Sequence, residues 1–163
     1  MKYKLTDETR EWVGRILHRI EALKDFGNVK AGDKGGWIEK EDNISQDGDC
    51  WVYDDACVFG NARVFGNARV YGNAWVYGDA CVYGDADINS KDDIIWLTGL
   101  GSENRTTTLF RTKEGGILVS CGCFSGDLAE FESRVKETHG DSKYAREYLS
   151  LIETAKIHFE EES

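Results

Sequence analysis

A six-residue repeat constrains this chain more than any other feature. From Gly48 to Asn89 the sequence reads GDCWVY, DDACVF, GNARVF, GNARVY, GNAWVY, GDACVY, GDADIN, seven blocks with no insertion between them. Six of the seven open on Gly–Asn or Gly–Asp. A small residue follows (Cys50, Ala56, Ala62, Ala68, Ala74, Ala80, Ala86), then a variable one, then a β-branched one (Val52, Val58, Val64, Val70, Val76, Val82, Ile88), and in six of seven an aromatic. Gly and Asn accept positive φ, so each opening pair is a corner. The remaining four residues alternate, with the small residue and Val on one face and the variable residue and aromatic on the other. Such short runs do not sustain an antiparallel meander. Stacking equivalent blocks about 4.8 Å apart pairs the backbone groups instead. The spacing predicts a coil of short parallel strands around a narrow interior.

These blocks resemble the hexapeptide-repeat, left-handed β-helix family, as in Val64-Phe65-Gly66-Asn67-Ala68-Arg69. The resemblance implies three blocks per triangular turn. Blocks one, four and seven then share a face, as do two and five, and three and six. The outward aromatics stack as Tyr53 over Tyr71, Phe59 over Tyr77 and Phe65 over Tyr83. Little more than two turns result, so other structure must close both ends. Residues 36–47 keep the spacing, with Ile38 and Ile44 in the small-residue slot, and predict a degenerate extra coil.

The flanks read differently. Within residues 8–24, Val13, Ile16, Leu17, Ile20 and Leu23 fit a helical stripe, yet Trp12-Val13-Gly14-Arg15-Ile16 also reads as strand, tight turn, strand. A mid-helix glycine costs roughly 1 kcal/mol, which favours the hairpin. After the repeat, 93–98, 106–111 and 117–121 read as strands. Asp127 with Glu130 forms a capping box ahead of Leu128, Phe131 and Val135, and Gly140 closes that helix. Ser142 caps a second helix bearing Ala145, Tyr148, Leu149, Ile152 and Ala155. The expected fold is mainly β: an N-terminal hairpin over 1–35, a short left-handed parallel β-helix over 36–89, and a small β-β-β-α-α domain over 90–163. Hairpin leader and C-terminal module both resemble those flanking such repeats in phage and prophage proteins, the latter at Ser120-Cys121-Gly122-Cys123-Phe124 and Thr138-His139-Gly140-Asp141.

Composition narrows the function. Lys+Arg 20 against Asp+Glu 30 gives a net charge of −10, which argues against direct nucleic-acid binding and docking on anionic membranes. No apolar run reaches transmembrane length and no signal peptide is visible, so five cysteines read as thiols of a cytoplasmic protein, host cytoplasm if phage-encoded. Hexapeptide-type acyltransferases and carbonic anhydrases use imidazole as base or zinc ligand. His18, His139 and His158 are the only histidines, and none lies in the repeat. No enzyme is therefore expected.

Asp79, Asp85, Asp87, Asp92 and Asp93, with Tyr53, Phe59, Phe65, Tyr71, Trp75, Tyr77 and Tyr83, form a candidate surface for a basic protein partner. The expected function is non-enzymatic protein–protein interaction by a phage-encoded homodimer, inhibiting a host defence effector in the manner of an anti-CRISPR protein. A sugar- or nucleotide-binding module built on the aromatic ladders is the alternative, and a hexapeptide-type acyltransferase or carbonic anhydrase the third reading. No cofactor is expected, unless Cys121, Cys123 and His139 hold zinc with Asp141 or His158. C-x-C is a looser zinc signal than C-x-x-C.

Overall fold

The computed structural model describes residues 1–160. They are mainly β with two C-terminal helices, in two compact units that divide between Lys91 and Asp92. The first unit holds β1 (Tyr3–Trp12), β2 (Arg15–Ala22), β3 (Lys34–Ile38) and seven two-residue strands, one per block: β4 (Trp51–Val52), β5 (Cys57–Val58), β6 (Arg63–Val64), β7 (Arg69–Val70), β8 (Trp75–Val76), β9 (Cys81–Val82) and β10 (Asp87–Ile88). The second holds β11 (Ile94–Leu100), β12 (Arg105–Arg111), β13 (Ile117–Cys121), β14 (Phe124–Asp127), α1 (Leu128–His139) and α2 (Lys143–His158).

The repeat pairs with itself in parallel three blocks on. Trp51 faces Arg69, which faces Asp87; Cys57 faces Trp75; Arg63 faces Cys81. Blocks one, four and seven thus share one sheet, two and five another, three and six the last. Every small and β-branched position from Cys50 to Ile88 is at most 2% exposed. Corners need glycine for space as well as for conformation: a Cβ on Gly66, at φ +70°, would lie 2.9 Å from the Gly84 nitrogen. Ala68→Leu should overfill this interior and cost about 1–3 kcal/mol in urea melts. Arg69→Ala, one residue on, should cost well under that. Arg69 is nevertheless half-buried, not exposed as an outward slot suggests, because Trp51 and Asp87 flank it in the ladder.

The leading turn departs from the expected frame. Ile38 pairs with Val58 and Ile44 bridges Val64, so both occupy the β-branched slot and not the small-residue slot. Eight positions separate Ile44 from Val52, two more than the repeat allows. The extra length receives the chain's start. Gln46 Oε1 accepts the backbone N–H groups of Lys2 and Tyr3 at 2.8 and 3.2 Å. The Lys2 ammonium, on a side chain buried with its residue at 1% exposure, donates to the carbonyls of Cys50, Gly48 and Asp47 at 2.9, 3.2 and 3.4 Å.

β1 and β2 form the hairpin. Val13 and Gly14 sit at φ +50° and +74°, the two-residue turn whose twist suits paired strands. The helical stripe fails because Val13 and Ile16 face solvent while Leu17 and Ile20 are buried. β2 pairs antiparallel with β3, which pairs in parallel with β5. Side chains of the hairpin cover the outer slots of this sheet. Trp12 meets Trp75 edge-on at 5.1 Å, and Arg10 donates to the Cys57 sulfur at 3.0 Å. The Trp37 ring has Arg10 at 5.0 Å and Arg19 at 4.6 Å over it. Those guanidiniums lie over indole faces, an attractive placement for a cation, and the Arg19 Nε also pairs with Glu8 at 3.5 Å. Near the tip, Arg15 holds Glu39 at 2.8 Å, and Glu39 takes the Gly60 N–H at 2.8 Å. Burial alone would raise the Glu39 carboxyl's pKa, but these two partners hold it below its ordinary value.

In the second unit, β11 to β14 form an antiparallel sheet in chain order. β14 is one strand more than expected. Its sequence, Phe-Ser-Gly-Asp, carries no strand pattern. It forms because Gly122, at φ +58°, turns the chain sharply enough for Cys121 to pair with Phe124. Asp127 caps α1 by accepting the Glu130 N–H at 2.7 Å, and Gly140 follows its last residue. Phe131 and Val135 of α1 and Ala145, Tyr148, Leu151, Ile152 and Ala155 of α2 close a core over Leu109 and Val119. Leu149, expected on the buried stripe, is only half-buried, and Leu151 takes the inner place.

Candidate functional site

One concave site in each unit gathers residues of useful chemistry. In the first unit the leading turn runs along block three, with Ile44 bridging Val64 and the Ser45 N–H donating to Val64 O at 2.9 Å. The two line a groove of about 570 Å³ whose rim carries Glu41, Asp42, Ser45 and Gln46 and whose floor carries Arg63 and Phe65. Asn43, fully buried, fixes the rim: its Oδ1 accepts from the Glu39 and Lys40 nitrogens at 3.1 and 2.9 Å, and its Nδ2 donates to Ala62 O at 2.9 Å. Arg63 and Phe65 occupy the two outward slots of block three. Phe65 stacks on Tyr83 at 5.9 Å and 22°. Aromatic carbon can face a flat ring, the guanidinium can meet one anionic group, and the two exposed carboxylates can act as bases or meet a cation. Of the rim and floor residues only Phe65 was singled out in the sequence; Arg63, Glu41 and Asp42 were not, and the broken frame between Ile44 and Val52 was the available signal.

In the second unit a cavity of about 280 Å³ opens between the β11–β12 loop, the β13–β14 turn and the end of α1. Cys121, Cys123 and His139 all line it. The Cys121 sulfur turns inward, accepting from the Thr107 hydroxyl at 3.3 Å and lying 3.8 Å from the Tyr148 hydroxyl, while Cys123 is exposed. His139 stacks on Tyr148 at 5.7 Å. Burial first, and then Cys121, push the Tyr148 phenol up, so it stays a donor, to Leu100 O at 3.3 Å. Among the described residues no three His, Cys, Asp or Glu side chains gather as they would around a metal ion. Neither Asp141 nor His158 lines the cavity, and the His158 Nε2 lies 2.9 Å from Asp92 O.

The acidic and aromatic residues distribute unevenly. Phe59 stacks on Tyr77 at 5.1 Å and 6°, but Tyr53 meets Tyr71 edge-on at 85°. Only Phe65 and Tyr77 of the ladder are exposed; Phe59 is buried with Leu17 and Trp37 of the hairpin sheet. Trp75 is half-buried between Trp12 and the Lys91 ammonium, which lies 3.8 Å from its ring centre. Asp79 accepts from Asn61 at 3.3 Å, and Asp87 from the Tyr71 hydroxyl, while Asp85 is exposed. Asp92 and Asp93 belong to the second unit, where Asp93 binds Arg111 at 3.1 Å. No helix among the described residues is long and apolar enough to cross a membrane.

No family model matches the chain. Over 61 residues it is 39% identical to a curated protein of Escherichia coli (strain K12), the uncharacterized acetyltransferase YdcK. The relative bears an enzyme's name. The match takes in 32% of this chain and 19% of that protein, so the chain covers about a fifth of the relative's length. This similarity corrects two expectations: that the chain is no enzyme, and that it is a phage-encoded interaction protein of the anti-CRISPR kind. Missing imidazole in the repeat excluded one choice of base and was read too broadly as excluding catalysis.

Proposed function

We propose that the protein is an acyl-transfer enzyme of the left-handed hexapeptide-coil type, with the groove of the first unit as the seat of an acyl thioester. What carries this reading is the similarity to an acetyltransferase of a chain whose repeat pairs in parallel every three blocks. In the groove, Arg63 meets the donor's phosphates and the Phe65–Tyr83 pair offers a face to its purine. An acceptor hydroxyl or amine attacks the thioester carbonyl. A rim carboxylate, Glu41 or Asp42, takes the acceptor's proton and returns it to the sulfur as the C–S bond breaks, so the donor leaves as a thiol. With no histidine in the coil, a carboxylate is the base at hand.

The test is binding and turnover with acetyl-coenzyme A. Calorimetry should show saturable binding, and release of free coenzyme A thiol should follow addition of a panel of amino sugars and amines. Arg63→Ala should weaken binding about tenfold or more, the equivalent of roughly 1.4 kcal/mol from one charged contact. The Asp42→Asn, Glu41→Gln double variant should bind normally and lose turnover. Absence of binding at millimolar donor, or binding indifferent to Arg63→Ala, overturns the proposal.

A further inference from the structure

The cavity of the second unit has no part in that chemistry, and its walls are specific. Gly122 separates Cys121 from Cys123 in the tight turn. A Cβ there would run into the Arg105 guanidinium, so the arginine lies directly across the turn. Arg105 pairs with Glu103, which also lines the cavity, and lies close enough to Cys123 for the two groups to interact electrostatically. Arg134, one of the cavity's lining residues, lies with its guanidinium 5.7 Å from the Phe124 ring. Gly101, beside the lining Ser102, leaves room for the Tyr148 hydroxyl, which a Cβ there would strike. An exposed thiol thus lines a small cavity with two guanidiniums against one carboxylate, a local excess of positive charge in a protein of net charge −10.

We infer that Cys123 is a thiol–disulfide exchange site selective for small disulfides that carry carboxylates, with Arg105 and Arg134 receiving those carboxylates. The Cys123 thiolate attacks one sulfur of the incoming disulfide. The S–S bond breaks, a new one forms to Cys123, and the other half leaves as a thiolate that takes up the proton Cys123 gave to water. Cys123 is oxidised and the small disulfide reduced, so no other oxidant is needed. The second thiol does not resolve the product: Cys121 is 8% exposed and engaged by Thr107 and Tyr148. The mixed disulfide therefore persists until an external thiol removes it. The other cysteines serve as internal controls, since Cys50 and Cys57 are fully buried and Cys81 is half-buried in the first unit.

The probe is oxidised glutathione, compared with neutral hydroxyethyl disulfide and cationic cystamine on the full chain. Intact mass and peptide mapping read which thiol is modified and how fast. Cys123 should take one glutathione, at a rate above that with cystamine by about tenfold or more, the low end of charge-steered association. The Arg105→Gln, Arg134→Gln double variant should remove that preference while leaving the rate with hydroxyethyl disulfide nearly unchanged. Gly122→Ala, which displaces Arg105, should reduce the preference too. If this variant misfolds, the arginine pair still decides. Equal rates with all three disulfides, modification falling first on Cys81, or an internal Cys121–Cys123 bond as the product would each overturn the inference.

Discussion

Trp51→Ala should cost the first unit roughly 3–5 kcal/mol, the range for emptying a fully buried tryptophan site. Trp51 occupies the variable, outward slot of block one, yet it is 1% exposed. Tyr3 and Phe26 of the N-terminal segment meet it edge-on at 6.1 and 5.2 Å, and the Gly35 backbone passes so close that a Cβ would lie 2.7 Å from its ring. The substitution removes both the burial and the ring–ring contacts, the latter worth about 0.5–1.5 kcal/mol each. Trp75→Ala is the control, because Trp75 has the same slot four blocks on and is only half-buried. Urea melts of the two variants should separate by more than about 1 kcal/mol. Equal losses would mean that the N-terminal segment does not seat on Trp51.

Lys2→Met should be the costliest change of a charged residue in the chain, about 3 kcal/mol. Methionine keeps most of the apolar stem but withdraws the ammonium from three carbonyls, Asp47, Gly48 and Cys50, at 3.4, 3.2 and 2.9 Å. A buried acceptor left without a donor costs about 1–3 kcal/mol, and water entry recovers part of the sum. The Phe26 ring, 4.9 Å from the ammonium, loses its cation as well. The measurement is the urea midpoint beside that of Lys4→Met, whose side chain forms one exposed pair with Glu21 at 3.9 Å. Lys4→Met should stay within about 0.5 kcal/mol of the parent. A Lys2 variant equally mild would show that the carbonyls are solvated.

The repeat was legible because its period is both chemical and geometric. Corners, small residues and valines recur every six positions, and the three-block register follows from closing such a coil. Where that period breaks, sequence reasoning lost its footing. Ile38 and Ile44 look in frame by counting, but the chain spends two residues between Ile44 and Val52 on receiving Lys2 and Tyr3, contacts more than 40 residues distant in sequence. The outward slots were misjudged for the same reason. Cys57 and Phe59 point out of the coil, and the hairpin then covers them. β14 hid because its formation depends on the conformation of Gly122 and not on its own composition. Of the groove only the broken frame was a signal, since Arg63 looks like any other variable residue until Glu41 and Asp42 are found lining the same groove.

The three-block register has a consequence for how such a chain can change in length. Residues that face each other in the coil are 18 positions apart, as Trp51 is from Arg69 and Cys57 from Trp75. Removing one block advances every later residue by a third of a revolution, so Phe65 and its successors would leave the groove for a neighbouring side. Removing three restores the phase and merely shortens the axis. Growth and loss are thus quantised in whole revolutions wherever the side that each residue faces matters. The irregular leading turn, held by the hairpin and by Lys2, acts as the origin from which that phase is counted.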